Sequence, residues 1–385
     1  MSPLRILEVC GAADGGGWFV DQVLELTRRG HQVECVVPGP GSVAERLRAH
    51  GVRVRELPFR GYAPRDVPRV LRATRRLRKL AFGGDFDIVH AHLLKSIVLC
   101  RVALRGRGPA LVSQVANVVH LGSRPLTWID TVTMRWDSLL LASCTDFERR
   151  YRALGATATA VSFYGCDVDR LDPDATPDPF RAEQALDVGM VAVGMVAHMY
   201  PTRLAQFADV GVKGHETFID AARIISDAHP EVRFVVVGDE FAGDGAYRRS
   251  LERRAADLVA RGVLTFLGHR EDMESVLAGL DVLVNPSLSE SASYTMIEAS
   301  LMRRPVVASA VGGLLDTVRQ EETGILVPPA DVAALAAAIT RLVEDPTLRR
   351  TFGVAGRAHV RRLFALEATV DSVESAYARV LGIAG

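Results

Sequence analysis

Excess charge of either sign is missing from this chain, whose 385 residues carry 46 basic and 46 acidic side chains. A broad electrostatic footprint for nucleic acid is therefore excluded, and no nucleic-acid partner is expected. Cysteine is scarce: Cys10, Cys35, Cys100, Cys144 and Cys166 are scattered, odd in number and without metal-ligand spacing. That rules out a disulfide framework and a cysteine zinc site, and the apolar surroundings of four of them read as buried thiols in a reducing cytosol. Long apolar runs are absent, since no uninterrupted stretch approaches the roughly 18 to 20 residues of a spanning helix. The start, Met1-Ser-Pro-Leu-Arg-Ile, enters a strand directly with no basic region and apolar core of a signal peptide. A cytoplasmic protein whose membrane contact, if any, is peripheral is the expectation. Internal repeats and low-complexity tracts are also lacking.

What is present is an alternation of short apolar runs with helical patterns. In the first half the runs are Leu4 to Cys10, Val33 to Val37, Val52 to Leu57, Phe86 to His90, Leu111 to Val115, Ser138 to Ser143 and Ala158 to Phe163. In the second they are Val188 to Val196, Val232 to Val237, Leu264 to Leu267, Asp281 to Asn285, Val306 to Ala308 and Gly324 to Val327. This rhythm predicts parallel strands joined by crossover helices. The length exceeds one hydrophobic core, so two domains of roughly 170 to 200 residues follow. The Pro- and Asp-rich stretch Asp174 to Phe180 is the candidate junction. The tail from Ala330 is Ala-rich and helically periodic through Val380. The predicted fold class is α/β, with two doubly wound Rossmann-like domains.

The most informative stretch is Val282-Leu-Val-Asn-Pro-Ser-Leu-Ser-Glu290-Ser-Ala-Ser-Tyr-Thr-Met-Ile-Glu298. The run Asp281 to Pro286 suits a fully buried strand, which Pro286 ends. Helical spacing from Tyr294 to Met302 puts Glu290 on the loop before a helix and Glu298 within that helix. Paired carboxylates suit sugars because each accepts two hydroxyl hydrogen bonds, and charge-assisted bonds are the stronger kind. Amides at a helix N-terminus offer an anion seat between them. Two glutamates on a charged surface helix are the plain alternative. Against it stands the order strand, loop, helix, strand, which is how open α/β sheets place ligands at the carboxyl ends of their strands.

The span Asp281 to Pro329, with Glu290, Glu298, Pro305-Val-Val-Ala, Gly312-Gly313 and Thr323-Gly-Ile-Leu-Val-Pro-Pro, resembles the C-terminal domain of family 4 retaining glycosyltransferases of GT-B fold. The likeness extends to Gly15-Gly-Gly17 and to Asp87-Ile-Val-His-Ala-His92, and covers nearly the whole chain. Members of the actinobacterial natural-product or polysaccharide type are the nearest in kind. The resemblance implies two domains facing a cleft: residues 1–168 for the acceptor, 169–365 for a nucleotide sugar, and a tail, 366–385, packed back on the first domain. It further implies transfer of a sugar from a nucleoside diphosphate donor of the UDP type to a hydroxyl acceptor, a small molecule or a glycan, with retention on the front face. No metal or other cofactor is expected, and no general base is named, because the departing phosphate takes the acceptor proton.

Site residues follow from the same resemblance. Lys213, in Gly211-Val-Lys-Gly-His-Glu216, would bind the diphosphate. The partner arginine expected after the first C-domain strand is replaced by His198, and Arg203, in an inserted segment from Met199 to Val210, is its substitute. Glu290 would accept from the donor sugar and Glu298 from the ribose. Gly16 and Gly17 lie between the first strand and first helix, where amides can approach a ligand, although a tight turn is an equal reading. Gly238, His269, Ser291, Ala292, Ser293 and Tyr294 complete the donor set. Ser291-Ala292-Ser293 stands where the family has Gly-Phe-Gly, which narrows the room for backbone approach. His120 matches the family's active-site histidine, with His90 and His92 as competitors and a structural histidine as the alternative. A sugar-nucleotide epimerase, a non-catalytic glycan binder and an enzyme with a lipid-linked acceptor are the rival functions.

The stretch Arg65 to Leu80 is a basic amphipathic helix, with Val70, Leu71, Leu77 and Leu80 as its apolar side. It suits an anionic lipid surface, although the solvated outer face of a packed helix is the plainer account. If all four apolar residues dock on the domain, no second apolar stripe is left for lipid, which favours a soluble acceptor.

Overall fold

The computed structural model describes residues 2–59, 66–176, 179–202, 204–207, 209–241 and 243–383. Two compact units divide the chain: Met1–Asp167 with Leu363–Gly385, and Val168–Arg362. All thirteen apolar runs form parallel strands. In the first unit these are β1 (Arg5–Cys10), β2 (Gln32–Val37), β3 (Arg53–Glu56), β4 (Ile88–His92), β5 (Ala110–Val115), β6 (Leu139–Ala142) and β7 (Thr159–Val161), in the spatial order β3-β2-β1-β4-β5-β6-β7. In the second they are β8 (Val191–Val196), β9 (Val232–Val237), β10 (Leu264–Gly268), β11 (Val282–Asn285), β12 (Val306–Ser309) and β13 (Gly324–Val327), ordered β10-β9-β8-β11-β12-β13. In each sheet the order reverses beside the first strand, between β1 and β4 and between β8 and β11, the switch point at which doubly wound sheets hold ligands.

The central strands are apolar on both faces because helices cover both sides, whereas the edge strand β3, Arg53-Val-Arg-Glu, is largely exposed. Val9, Val36, Val89 and Leu140 pack under one helical layer, and Ile6, Ile88, Val112 and Leu141 under the other. The second layer includes the last helix, Leu366–Leu381, whose Val370, Val373 and Tyr377 are fully buried against the first sheet. The periodic tail breaks into three helices, Val332–Glu344, Pro346–Phe364 and Leu366–Leu381. Pro346 opens the second, as proline does at a first helical turn.

Two expectations change. Val188 is fully exposed, and the first strand of the second unit starts three residues later at Val191. Leu71 is 51% exposed, so it does not dock the basic helix, which runs Val67–Gly83, with Arg65 outside the described residues. At 3.6 residues per turn Ala73, Leu77 and Ala81 share a stripe that packs inward with Val70 and Leu80 at its margin. Leu71 falls instead with Val67, Arg75 and Arg78 on the outer side.

Candidate active site

In the second unit, three chain segments meet at the carboxyl edge of β8 and β11. The loop after β8 carries Lys213, the loop after β11 carries Glu290, and the turn after β12 carries Gly312 and Gly313. Lys213 is followed by Gly214 in the left-handed region at φ 76°, where an added Cβ would lie 2.1 Å from the Pro286 carbonyl oxygen. Only glycine permits that approach. The two loops are laced by the Leu288 amide donating to the Val212 carbonyl at 2.8 Å. Glu216 fixes the lysine loop from behind: buried, it accepts from the Gly211 amide at 3.0 Å and from the Tyr247 hydroxyl at 3.1 Å.

Lys213 Nζ reaches Glu290 Oε2 at 2.5 Å, with both side chains mostly buried. The Ser291 amide donates to Glu290 Oε1 at 3.2 Å, which aims the carboxylate. The Glu290 carbonyl in turn accepts from the Gly313 amide at 3.1 Å. Beside Lys213, His215 is driven down to about 3 by burial and by the lysine charge, so its ring is neutral.

Glu298 lies on the helix Tyr294–Leu301, which begins after the loop that carries Glu290. Arg170 donates to its Oε1 at 2.6 Å. Burial raises the Glu298 carboxyl above its ordinary range, and Arg170 opposes that without cancelling it. Ser293 is buried just before this helix and its Oγ accepts from Asn285 Nδ2 at 3.0 Å, so its hydroxyl braces the loop. Ser291, Ala292 and Tyr294 are partly exposed. Gly238 follows β9 at φ 123°, where a Cβ would lie 2.1 Å from the Ala197 carbonyl, and its amide donates to the Gly268 carbonyl at 2.8 Å. His269 follows and is exposed. Arg203 lies outside the described residues.

In the first unit Gly15 and Gly16 both adopt left-handed backbone, at φ 69° and 62°, and the Gly16 carbonyl receives the first amides of the helix that Gly17 opens. His120 sits in a 3-10 turn, Val119–Gly122. Its Nε2 is 2.8 Å from Asp130 Oδ2 and 3.2 Å from the Tyr151 hydroxyl, while Nδ1 is buried without a partner. Asp130 is also held by the buried Arg101, which bridges to Asp137. His120, the active-site candidate of the resemblance, is thus buried, with Nε2 bonded and Nδ1 enclosed. His90 and His92 are deeper still, clustered on Glu8: His92 Nε2 lies 2.7 Å from Glu8 Oε2, and Tyr377 donates to Glu8 Oε1 at 3.2 Å. The Glu8 carboxyl, though burial alone would raise it, is held near 2 by the two histidines, and burial lowers His92 to about 4.

Arg170 and Glu216 escaped the sequence reading. Arg170 stands in the loop leading to the domain junction, and nothing in its sequence neighbourhood points 128 residues onward to Glu298. Glu216 had a signal, its place three residues after Lys213 at a helix start.

Comparison with known proteins settles the class. Residues 18–164 match the model of the glycosyl transferase 4-like domain, and residues 202–345 that of glycosyl transferases group 1. A D-inositol 3-phosphate glycosyltransferase of Rhodococcus erythropolis is 28% identical over 95% of this chain and 87% of its own length. A 2-deoxystreptamine glucosyltransferase of Streptomyces kanamyceticus is 30% identical over 70% of this chain and 68% of its own. The phosphatidyl-myo-inositol mannosyltransferase of Mycobacterium leprae is 28% identical over 93% and 92%. Among solved structures, Anabaena HepE in complex with UDP superposes with a TM-score of 0.81 at 20% identity, covering 98% of this chain and all of that one. Both parallel sheets therefore belong to a fold of two Rossmann-like domains shared with HepE. The chain belongs to the family 4 glycosyltransferases of GT-B fold.

Proposed function

We propose that the protein transfers a sugar, with retention, from a UDP-type donor to a hydroxyl of a cyclitol. The Lys213–Glu290 pair at the carboxyl edge of β8 and β11 carries this reading, because it supplies a cation for the departing diphosphate beside a carboxylate for sugar hydroxyls. As the bond from the anomeric carbon to phosphate oxygen breaks, negative charge grows on the diphosphate, and Lys213 stabilises that charge more than the ground state. The acceptor oxygen bonds to the same face of the anomeric carbon, and its proton passes to the departing phosphate oxygen. Glu290 orients the donor sugar, Glu298 accepts from the ribose hydroxyls, and the turns at Gly238 and His269 shape the rest of the donor contacts.

The acceptor class draws on the relatives' names. Inositol 3-phosphate, 2-deoxystreptamine and phosphatidyl-myo-inositol all contain a hydroxylated cyclohexane ring. A UDP donor is favoured by the HepE complex. A cytoplasmic setting suits five free cysteines and a nucleotide-sugar substrate, and among the described residues no helix is long and apolar enough to cross a membrane.

The test is a matrix of nucleotide sugars against myo-inositol, inositol 3-phosphate and 2-deoxystreptamine, read by nucleotide release and by NMR of the product's anomeric proton. Cyclitol-dependent release of UDP with the donor's own anomeric configuration is expected. Donor turnover indifferent to every acceptor, or an isomerised donor, would replace this reading with an epimerase.

A further inference from the structure

Glu298, the carboxylate proposed for the ribose, has one side-chain hydrogen-bond donor among the described residues: Arg170 Nη2, 2.6 Å from Oε1. Oε2 accepts from none of them, and the side chain is 20% exposed. One oxygen of the carboxylate is tied, and the other is open. The pair borders free space, because Arg170 lines a hollow of about 430 Å³ together with Thr176, Glu271 and Glu274.

The backbone on either side of Arg170 is fastened. From the helix Pro346–Phe364, Arg361 donates to the Val168 carbonyl at 3.1 Å and to Asp169 Oδ1 at 2.7 Å, while Arg357, one turn earlier, donates to the Leu171 carbonyl at 3.1 Å. Val168 and Leu171 are buried. Arg357 donates as well to the carbonyl of Leu301, the last residue of the helix that carries Glu298. Shortly after that helix, Arg303 grips Asp174 through two hydrogen bonds, at 2.7 and 2.8 Å. The segment 168–174 is thus laced to the helix Tyr294–Leu301 at both ends of the stretch that holds Arg170. An ordinary surface ion pair contributes little, since forming it orders two long side chains on independent supports. Here both supports are already fixed to each other.

Two charged groups act on Glu298 with opposite signs: Arg170, and Glu274 from the helix Met273–Gly279. Without Arg170 the buried carboxylate would face a second carboxylate and no cation. We propose that Arg170 is the positioning residue of Glu298, fixing Oε1 so that the carboxylate presents Oε2 to the ribose hydroxyls of the nucleotide. An ionised carboxyl offers about four lone-pair sites, so one bond to Arg170 leaves room for two hydroxyls. The inference rests on the reading of Glu298 as the ribose acceptor, and the experiment separates the two.

Calorimetry of the full chain with UDP and with 2′,3′-dideoxy-UDP, across pH, is the test. The wild type should prefer UDP by at least about tenfold, the scale of hydrogen bonds to a charged group. Arg170→Gln should lose most of that preference by weakening UDP while leaving the dideoxy compound as it was, and Arg170→Lys should fall between. Half of the Arg170 side chain is exposed, so both variants should keep the wild-type fold, which near-ultraviolet circular dichroism checks. The pH arm has a definite sign. Burial already lifts the Glu298 carboxyl above its ordinary range, and removing Arg170 takes away the cation that opposes this. On acidification the preference for UDP should therefore fade at a higher pH in Arg170→Gln than in the wild type, with Arg170→Lys close to the wild type. A full preference for UDP in Arg170→Gln, equal weakening of both nucleotides, or an unmoved acid limb would each overturn the proposal while the ribose reading stands. A wild type without any preference for UDP would overturn both.

Discussion

Lys213 and Glu290, 77 residues apart in the chain, are bonded to each other at 2.5 Å. The cation proposed for the diphosphate and the carboxylate proposed for the donor sugar are therefore the two halves of one ion pair, so a change at either residue alters the charge that faces the other.

Lys213→Ala should lower kcat by about 10²- to 10³-fold, the scale for losing one fixed electrostatic contact to the transition state, while donor affinity falls less. The change also leaves Glu290 without its cation. Steady-state kinetics alongside calorimetry with UDP separates the two effects. Loss confined to donor affinity, with turnover intact, would mean that Lys213 binds ground state and transition state alike.

Glu298→Gln carries two opposite expectations. Nucleotide binding should weaken by about 1.5 to 3 kcal/mol for each charged hydrogen bond lost. Stability should rise at neutral pH, because burial holds the folded-state carboxyl above its ordinary 4.5. The sign follows from proton binding: the folded state holds the proton more tightly, so the carboxylate's penalty is absent below the unfolded value and complete above the folded one. Melting temperatures across pH should show the variant's advantage near pH 7 shrinking to nothing below about pH 4. A lower melting temperature at pH 7 would show that the Arg170 pairing outweighs the burial.

The thirteen strands were legible because most are short apolar runs bounded by turn residues, a pattern that parallel sheets covered by helices impose. Glu290 and Glu298 were legible through their place after β11. Leu71 was misassigned because apolar composition alone ignores the angle, and a helix turns 100° between Val70 and Leu71. His120 illustrates a different limit. Its environment is set by Asp130, Tyr151 and Arg101, which the chain brings from three other helices, and no local pattern announces such a buried network. Arg170 was hidden for the same reason.

The Glu8 cluster predicts acid sensitivity of the first unit. His92 is neutral in the folded state with its value lowered from 6.5 to about 4, so its contribution is complete above 6.5 and is lost as pH falls toward 4. Glu8, lowered from 4.5 to about 2, contributes above 4.5 and loses that as pH falls toward 2. Both act in one direction, and stability should decline steadily below about pH 6.5. Tyr377→Phe removes a donor to the buried Glu8 carboxylate and should cost about 1 to 3 kcal/mol. Urea unfolding at neutral and acid pH measures both, and an acid profile that stays flat down to pH 4 would remove Glu8 and His92 from the account.

Gly312 tests whether the turn after β12 sets the position of Glu290. At φ 51° it already lies where side chains are disfavoured, and an added Cβ would fall 1.8 Å from the Glu290 carbonyl oxygen. The clash is with backbone, so Gly312→Ala must displace it: either the turn moves away from the Glu290 loop, or that loop shifts. The left-handed conformation alone should cost about 1 kcal/mol or more, and the displacement adds to it. Because the Gly313 amide supports the same carbonyl at 3.1 Å, the shift should reach the Lys213 contact as well. Gly312→Ala is therefore expected to depress donor turnover strongly while the protein remains folded, whereas Gly30→Ala, equally left-handed but with open space around its Cβ, should cost stability alone. Equal turnover in the two variants would show that the paired glycines serve the fold and not the position of Glu290.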